Sequence, residues 1–472
     1  MNVIERVKPQ TVGVSPKGII NFLDSIIEKQ INLHSFMLLR HGKVVAEGYY
    51  RPFNKEYVHN IFSVSKSVTS AAIGIAIGEG LITLEDRVID FFEEKIKKGV
   101  HPYTAEMKIK HLLAMATVHN GSTNKDVNDW VKTFLNTMPS HLPGTVFAYD
   151  TTGTHTLCAI LQKQTGMTVN EYLRSRLFDP IGIGPIEWES CHMNINKGGS
   201  GIKCTTEDLA RFGQLYLQKG LWEGKQVLPK GWVELSTTRH IDTSNTKVML
   251  EGKNGYAYHF WRARHNAYCA FGMGGQFVVV VPEKDVVFVS TANTLLYRDG
   301  HQMILDSFWE NIYPSILASV ILEEDNIYIE MQQRLEQLEL ILPIGKNSVA
   351  LEGAISNRRI KLDENCLEYG TCQFIFKGSD SRLIFFKGDE RKDIKFGMGS
   401  WVIGIEPFFG LKSAASATWV DEKTCIIHIQ AFDVMQMLII TCHFEEDYIV
   451  IQIQPVGEIN GGKYECYLNA KL

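Results

Sequence analysis

A serine and a lysine one helical turn apart, Ser63 and Lys66, have the clearest capacity for chemistry in this sequence. In a helix, residues three positions apart lie on the same face, so the lysine amine can reach the serine hydroxyl. Burial and the positive end of the helix dipole both lower the pKa of a lysine, and a neutral amine can take a serine proton. The pair therefore predicts a serine nucleophile with a lysine base.

The Ser-x-x-Lys pattern occurs four times, and its context separates the copies. Apolar and small residues follow Ser63 at helical spacing, and Gly78 and Gly80 offer a stop, so residues 62–80 predict a buried helix. The other pairs lie in segments rich in Gly, Asn or Thr, which predict loops: Ser122/Lys125, Ser200/Lys203 and Ser244/Lys247. Only Ser63/Lys66 begins a helix that is expected to be buried.

Two further segments offer the other groups that a serine nucleophile with a lysine base needs. Tyr149 follows a short extended run and precedes a helix, so its hydroxyl could carry a proton to a leaving group. The Gly-rich residues 272–276 precede a strong strand, and glycines there let a substrate approach backbone N–H groups. Each segment also has a plainer interpretation. A tyrosine at a strand-to-helix junction is typically a packing residue, and the glycines fit a β-bulge or tight turn equally well.

The surrounding pattern predicts an α+β fold, with one antiparallel sheet built from both ends of a domain and a helical insert between them. Ser15 and Pro16 predict a helix start, and a hairpin then leads into the Ser63 helix. The predicted helices cover residues 110–116, 129–138, 151–164, 207–217 (capped by Thr206) and 303–320, and the predicted strands cover 35–40, 44–50, 256–262, 267–271, 276–281 and 286–290.

The character of the chain changes after residue 322. Residues 323–342 predict a charged helical connector between two domains, residues 1–322 and residues 343–472. In the second domain, short strands alternate with turns, which is typical of a small all-β barrel or sandwich. The predicted strands there cover residues 349–353, 382–386, 416–420, 424–429, 437–442 and 448–453.

Composition excludes several function classes. The chain has 472 residues, 45% of them hydrophobic and 21% charged, and its net charge of −5 gives no basic footprint for nucleic acid. Nine scattered cysteines without a C-x-x-C pair favour reduced thiols over disulfides. The N-terminus lacks a signal pattern, and no apolar run approaches the roughly 20 residues of a membrane helix. We expect a cytoplasmic protein that binds neither nucleic acid nor membranes.

The histidines predict no metal site. His111, His119, His141 and His155 are unevenly spaced, and no Cys/His cluster has the spacing of zinc ligands. A catalytic histidine is not needed once Lys66 is the base. We therefore expect no metal and no organic cofactor.

Taken together, the segments resemble the penicillin-recognising serine hydrolases. This family includes class C β-lactamases, low-molecular-weight DD-peptidases, carboxylesterases and 6-aminohexanoate-dimer hydrolases. The resemblance covers about residues 15–320, and residues 272–276 are most similar to the aminohexanoate-dimer hydrolase branch. It rests on residues 62–67, 79–86, 143–151, 198–201 with 206–213, and 272–276 before Pro282.

The resemblance implies a β-lactamase/transpeptidase-like domain over residues 1–322, with an appended β-barrel module. It implies that Ser63 is the acylated nucleophile, Lys66 its general base and Tyr149 the proton shuttle to the leaving group. The implied oxyanion hole joins the N–H of Ser63 to that of Met273, with Gly272 as the alternative register. The remaining residues of the predicted substrate-binding set are Gly274, Gly275, Gln276, Asp150 and Thr151.

Two departures from the family bear on the substrate. In β-lactamases the tyrosine motif ends in Asn, whereas Asp150 and Thr151 follow Tyr149 here, and Asp150 is expected to face solvent at a helix start. Those enzymes also carry Lys-Thr-Gly on the edge strand, where this chain has Cys269-Ala270-Phe271. We therefore expect a serine esterase or amidase that forms an acyl-enzyme on esters or small amides, and a poor β-lactamase.

Two alternatives stay open at this point. One is a DD-peptidase or penicillin-binding protein, against which the missing signal pattern argues. The other is a catalytically silent binding protein on the same fold, against which the intact Ser63, Lys66 and Tyr149 argue. Homo-oligomer formation and the role of residues 343–472 are also left open.

Overall fold

The computed structural model describes residues 3–97, 99–123, 128–322, 325–343, 345, 349–457 and 465–472. Its first part mixes helices and strands as expected. The helices are α1 (Pro16–Glu28), α2 (Val64–Gly78), α3 (Pro102–Ala105), α4 (Ile109–Leu113), α5 (Trp130–Asn136), α6 (Thr151–Thr165), α7 (Val169–Leu173), α8 (Thr206–Leu217), α9 (Trp232–Thr237) and α10 (Gly300–Ser307). The strands are β1 (Leu33–Arg40), β2 (Lys43–Tyr49), β3 (His59–Asn60), β4 (Glu187–Trp188), β5 (Ile202–Cys204), β6 (Leu221–Trp222), β7 (Lys225–Gln226), β8 (Trp261–Arg262), β9 (Tyr268–Gly272), β10 (Gln276–Val281) and β11 (Val286–Ala292).

One six-stranded antiparallel sheet organises this part of the described chain, in the order β2-β1-β11-β10-β9-β8. The N-terminal hairpin pairs with the strands that follow the helical insert, and Phe36 lies opposite Ser290 in the register. The predicted α+β fold, with a sheet made from both ends of the domain, is confirmed. The pairing brings β9 and β10 into the same sheet as the strands before the Ser63 helix.

Both faces of the sheet are buried. Neighbouring residues along each strand point to opposite faces, so each strand contributes side chains to two different cores. Met37 and Leu39 pack in a core with α2 and α8, whereas Phe36 and Leu38 pack in a second core with α1 and α10. The sheet is therefore the middle of three layers, and α2 lies in one of the outer ones.

Helix α2 is buried almost throughout, from Val64 to Ala76. Small residues allow this close packing. A Cβ added at Gly74 would lie 2.3 Å from the Trp232 ring, and one at Gly78 would lie 2.5 Å from Pro229. The helix thus forms a fixed platform whose first turn carries Ser63 and Lys66.

The C-terminal part is mainly β-structure. Its helices are α11 (Asp325–Glu336) and α12 (Val349–Ile355), and its strands are β12 (Arg359–Lys361), β13 (Thr371–Ile375), β14 (Ser381–Lys387), β15 (Glu390–Met398), β16 (Val402–Glu406), β17 (Leu411–Trp419), β18 (Thr424–Ala431), β19 (Gln436–Phe444), β20 (Tyr448–Gly457) and β21 (Cys466–Lys471).

These strands form a nearly closed barrel. In the described residues they make one ten-stranded sheet from β12 to β21, in which β16 pairs with β17 beside the main path. A bridge between Leu362 and Ala470 joins the two ends. Aromatic side chains, among them Phe374, Phe385 and Trp419, fill the interior together with aliphatic ones. The expected barrel-like C-terminal fold is confirmed.

Three predictions for the C-terminal part differ from the structure. Residues 349–353 lie in helix α12, not in a strand. Strands β12, β13, β15, β16 and β21 lie outside the predicted segments because polar residues or a glycine interrupt their apolar residues, so that none of them forms a long continuous apolar run. The connector helix ends at Glu336, earlier than residue 342.

Three predictions for the first part also need correction. Thr205 caps α8 in a capping box with Asp208, whereas the Thr206 hydroxyl is buried 2.6 Å from Ser35 Oγ. Residues 256–260 turn back on themselves, with His259 at φ +63°, so that only Trp261–Arg262 joins the sheet. Helix α10 continues as a π-turn and a 3₁₀ turn that ends at Ser315, beside Pro314, and does not reach residue 320.

All nine cysteines are free thiols in the structure. No helix in the described ranges is long and apolar enough to cross a membrane.

Candidate active site

Ser63 is the N-cap residue of α2 and is half-buried. Its side chain accepts no capping hydrogen bond from the described helix, so Oγ is available for other partners. The preceding residue, Phe62, has φ +46°, a conformation that bulky side chains rarely adopt. The Asn60 side chain holds this turn by accepting the Phe62 N–H at 2.9 Å. The strained turn fixes the direction in which Ser63 leaves β3.

Lys66 lies directly beside Ser63. Its Nζ is 2.9 Å from Ser63 Oγ and donates to the carbonyl oxygen of Gly199 at 2.8 Å. Lys66 is only 1% exposed, and this burial lowers its pKa to about 7, against the opposing charge of Asp150. A substantial fraction of the amine is therefore neutral near pH 7.

The segment around Gly199 is bonded to α2 and the turn that precedes it. Thr69 Oγ1 donates to the Gly198 carbonyl at 2.9 Å, and the Ile61 N–H donates to Ile202 at 2.9 Å. A Cβ at Gly199 would lie 3.0 Å from Lys66 Nζ and 2.5 Å from the Thr151 methyl carbon. Glycine at this position lets the backbone approach the lysine closely.

Tyr149 lies beside both Ser63 and Lys66. Its hydroxyl hydrogen-bonds with Ser63, and Lys66 Nζ lies 4.8 Å from its ring centroid. Burial raises the pKa of Tyr149, and the hydrogen bond to Ser63 opposes that rise. The ring stacks on Trp261, with centroids 5.9 Å apart and an interplanar angle of 13°. The structure thus brings Ser63, Lys66 and Tyr149 together.

Asp150 does not face solvent, which corrects the expectation from sequence. It is fully buried, and its carboxylate caps α6 by accepting the N–H groups of Thr152 and Gly153 at 2.9 and 3.1 Å. Thr117 donates to its other oxygen at 3.1 Å. Burial raises the pKa of Asp150 to about 6. With both oxygens engaged inside the protein, this carboxylate is a structural and electrostatic group and does not line the cleft.

The Gly-rich residues form the tight turn of the β9–β10 hairpin. Gln276 pairs with Gly272, and Gly274 and Gly275 have φ of +81° and +100°, which favour glycine. A Cβ at Gly272 would lie 2.2 Å from the Ile61 carbonyl oxygen. The hairpin end therefore packs against the backbone two residues before Ser63.

Gln276 holds this turn from inside. It is 1% exposed, and its amide donates to the carbonyls of Met273 and Ala292 at 3.0 and 2.6 Å. The Ala292 N–H returns a hydrogen bond at 3.2 Å. Gln276 is thus a support of the hairpin, which corrects its place in the predicted substrate-binding set. Met273 and Phe271 are the partly exposed residues of this edge.

A cleft of about 460 Å³ extends from Tyr149. One wall is the segment that leads into Tyr149, and the other is a loop between α9 and β8. The lining residues are Thr145, Val146, Phe147, Tyr149, Ile241, Asp242, Thr243, Asn245, Thr246 and Val248. Tyr149 is the member of the Ser63, Lys66 and Tyr149 group that lines this cleft.

The other Ser-x-x-Lys pairs do not begin helices in the described residues. Lys203 lies in β5, where it forms ion pairs with Glu187 and Asp433, and Ser244 is in an exposed turn. Ser122 accepts the Thr151 N–H at 2.8 Å, and its pattern partner Lys125 lies outside the described residues. Of the four pairs, Ser63/Lys66 alone begins a buried helix among the described residues, and its catalytic role stays a prediction.

Sequence reasoning missed Gly199, Thr117 and Trp261 as neighbours of the site. Gly199 stands in a Gly-rich motif, but its distance of 133 residues from Lys66 hid the contact. Trp261 belongs to a segment that looks like an ordinary strand. No group of three or more His, Cys, Asp or Glu side chains in the described ranges is arranged to hold a metal ion.

A helix-borne serine beside a buried low-pKa lysine and a tyrosine, on an α+β sheet, defines the class: a serine hydrolase. The comparison with protein families agrees, because the family model "Beta-lactamase" matches residues 23–303, more than half of the chain. The chain belongs to the β-lactamase family.

Known relatives and structures support the predicted similarity to the 6-aminohexanoate-dimer hydrolase branch of this family. The 6-aminohexanoate-dimer hydrolase of Paenarthrobacter ureafaciens is 25% identical over 290 residues, which are 55% of this chain and 72% of that protein. A penicillin-binding protein homologue from Caulobacter crescentus is 16% identical, with a TM-score of 0.53 over 64% of this chain and 99% of that chain. An octameric penicillin-binding protein homologue from Pyrococcus abyssi is 14% identical, with a TM-score of 0.50 over 95% of this chain and 99% of that chain. The structural likenesses bear on the fold.

Proposed function

We propose that this protein hydrolyses esters or small amides through an acyl-enzyme formed on Ser63. The observation that carries the proposal is the 2.9 Å contact between Ser63 Oγ and the buried amine of Lys66. A serine hydroxyl is a weak nucleophile unless a base accepts its proton, and a neutral amine within hydrogen-bond distance can do so.

In the acylation step, neutral Lys66 takes the proton from Ser63 Oγ as this oxygen attacks the substrate carbonyl carbon. The carbonyl π electrons move to oxygen and form a tetrahedral oxyanion. Tyr149 transfers a proton to the leaving oxygen or nitrogen as its bond to the carbonyl carbon breaks, and regains a proton through Lys66. The hydrogen bond between Tyr149 and Ser63 supports this route.

The oxyanion is held by two backbone N–H groups, those of Ser63 and Met273. The packing of Gly272 against Ile61 supports this pairing, because it holds the hairpin turn beside the start of α2. Gly272 remains the rival donor. Water then attacks the acyl carbonyl with Lys66 as base, which releases the acid and restores Ser63.

Poor turnover of β-lactams is part of the proposal. Cys269 and Ala270 are buried, and the partly exposed Phe271 is apolar and packs against Phe277, so the segment that holds a cation in β-lactamases carries none here. A substrate carboxylate gains no ion pair from that edge. The relative named as a 6-aminohexanoate-dimer hydrolase adds that dimer to the substrates that merit a test.

The decisive experiment is a substrate panel with purified wild type and Ser63→Ala. The panel contains chromogenic esters, D-aminoacyl amides, the 6-aminohexanoate dimer and β-lactams. We expect turnover of at least one ester or amide that Ser63→Ala abolishes. Ser200→Ala is a matched control, because it removes the serine of another Ser-x-x-Lys pair, and its activity should equal that of wild type. Activity that survives Ser63→Ala unchanged would remove the mechanism.

A fluorophosphonate probe separates the enzyme from a silent binding protein on the same fold. Such probes label only serines activated as nucleophiles. The proposal requires labelling of the wild type and none of Ser63→Ala. An unlabelled wild type that still binds a substrate-like amide would favour the binding protein.

We also propose that the chain forms a homo-oligomer. The octameric homologue from Pyrococcus abyssi, which matches almost the whole chain in fold, supports this choice. Sedimentation velocity of the purified protein tests it, and a monomer across a hundredfold concentration range would count against it.

A further inference from the structure

A turn of the C-terminal barrel contacts the active-site region. It consists of Phe432, Asp433, Val434 and Met435, between β18 and β19. We name it the 432–435 turn. Its residues come from the domain whose role the sequence leaves open, yet they contact the backbone on both sides of the proposed oxyanion hole.

The first contact is with the strand that leads to the nucleophile. The Asn60 N–H donates to the Asp433 carbonyl oxygen at 2.9 Å, three residues before Ser63. The Asp433 carboxylate pairs with Lys203 Nζ at 2.9 Å, and Lys203 lies in β5, opposite Asn60 in the β3–β5 pair. The turn is therefore bonded to both strands beneath the start of α2.

The second contact is with the Gly-rich hairpin. The sulfur of Met435 lies 1.7 Å from the position that a Cβ on Gly274 would take, so this side chain fills the space left by the missing one. Met435 Sδ is also 3.9 Å from the Gln276 amide nitrogen, the group that holds the Met273 carbonyl. Met435 itself is 3% exposed. The thioether thus packs under the turn that carries the Met273 N–H.

Phe432 anchors the turn in the hydrolase domain. Its ring lies 5.3 Å from that of Phe53 and 4.5 Å from that of Tyr57, and it is 2% exposed. The Phe432 N–H donates to the Lys412 carbonyl at 3.1 Å, which ties the same residue to the barrel. Burial of this ring fixes the turn to both domains.

We propose that Met435 is a positioning residue for the oxyanion hole, and that the C-terminal barrel sets the distance between the two N–H donors through the 432–435 turn. Asp433 fixes the strand before Ser63, and Met435 fixes the hairpin that carries Met273. The inference rests on the proposed function, since it assumes that these two N–H groups hold an oxyanion.

The expected effect follows from the geometry of oxyanion stabilisation. Donors stabilise the transition state only when they lie about 2.7–3.1 Å from the oxyanion, and removal of one donor typically lowers kcat by about 10²–10³-fold. Met435→Ala leaves Gly274 without its packing partner and lets the hairpin shift without removing a donor. We therefore expect a smaller loss in kcat, about 10-fold to 100-fold, with KM little changed.

The test compares the full-length variants Met435→Ala, Met435→Leu and Met398→Ala. Leucine restores most of the lost volume, so Met435→Leu should recover at least half of the wild-type kcat. Met398 is a partly buried methionine of β15 that packs on the barrel core, and it serves as the matched control with wild-type kinetics. Kinetics are measured on the best ester or amide of the panel, together with the rate of fluorophosphonate labelling and thermal denaturation.

Each outcome decides one question. Labelling and turnover that persist in Ser63→Ala would overturn the proposed function itself. If Ser63→Ala is inert and Met435→Ala has the kcat and labelling rate of Met398→Ala, the positioning role is wrong, whatever its melting temperature. Should Met435→Ala fail to fold, the less severe truncation Met435→Val is measured in the same way, and wild-type kcat in that variant would equally overturn the inference.

Discussion

Lys66 Nζ donates to the carbonyl oxygen of Gly199 at 2.8 Å. The same nitrogen lies 2.9 Å from Ser63 Oγ. A neutral amine has two N–H donors and one lone pair. A hydrogen bond to Gly199 uses one N–H, and this fixed contact orients the amine so that its lone pair can face the serine hydroxyl. The Gly199 carbonyl, from a loop distant in sequence, thus orients the amine of Lys66, the proposed base.

The first prediction concerns the pH dependence of activity. Because burial lowers the pKa of Lys66 to about 7, and only the neutral amine can accept a proton, kcat/KM should rise with pH and level off above about 7. Below that pH, log kcat/KM should fall with a slope of one, about tenfold per pH unit. A pH–rate profile from pH 5 to 9 on an ester substrate checks this. Activity that is flat through pH 6–8 would contradict a lysine base.

The second prediction concerns Asp150, whose charge raises the pKa of Lys66 against the effect of burial. In Asp150→Asn the charge is gone, while the amide oxygen can still cap α6 and the Thr117 hydroxyl can turn to accept the amide N–H. The pKa of Lys66 should fall, so the rising limb of the pH profile should move to lower pH, by up to about 1 unit.

Asp150→Ala provides the contrast for that variant. It removes the helix cap and leaves Thr117 without its acceptor, so we expect a loss of about 1–3 kcal/mol in the free energy of unfolding. Urea denaturation measures the loss. A profile in Asp150→Asn that moves to higher pH would show that Asp150 does not act on Lys66 through its charge.

The third prediction concerns the Tyr149 hydroxyl. Tyr149→Phe keeps the ring and its stack on Trp261 but removes the group that hydrogen-bonds with Ser63. If this hydroxyl carries the proton to the leaving group, kcat should fall by about 10²–10⁴-fold with the melting temperature nearly unchanged. The loss should be larger for an amide than for an ester with a good leaving group, since the amide nitrogen depends more on protonation. Equal, small losses for both substrates would argue against the shuttle role.

The fourth prediction concerns the packing of α2. A methyl group at Gly74 would lie 2.3 Å from the Trp232 ring, so Gly74→Ala should destabilise the fold by about 1–3 kcal/mol despite the better helix propensity of alanine. Gly353→Ala in α12 is the matched control, because its Cβ would meet no described atom within 4 Å. That change should stabilise by about 0.5–1 kcal/mol. Chemical denaturation compares the two, and equal effects would contradict the packing argument.

The fifth prediction concerns β-lactams. The apolar edge formed by Cys269, Ala270 and Phe271 offers no cation for a substrate carboxylate. An ion pair or charge-assisted hydrogen bond of this kind is worth about 1.5–3 kcal/mol, so we expect kcat/KM for a cephalosporin to be at least about tenfold to hundredfold below that for the best ester. Spectrophotometric hydrolysis assays check this, and comparable rates would refute the argument.

The sequence by itself determined the features that depend on local physics. The 3.6-residue helical period places Ser63 and Lys66 on one face of α2, and apolar residues all round that helix require its burial. The Gly-rich turn before β10 and the β-branched and aromatic residues of the sheet strands are local in the same sense. These patterns were sufficient for the fold class, and they predicted which of the four Ser-x-x-Lys pairs begins a buried helix.

Only the tertiary structure decided which distant groups surround that pair. The Gly199 carbonyl accepts a hydrogen bond from Lys66, 133 residues away in the chain, and Asp150 is buried instead of facing solvent. Met435, from the C-terminal barrel, packs against Gly274. Burial inside the folded protein lowers the pKa of Lys66, and the charge of Asp150 opposes that shift. Contacts between segments remote in sequence leave no periodic or compositional mark, because they depend on how completed elements pack.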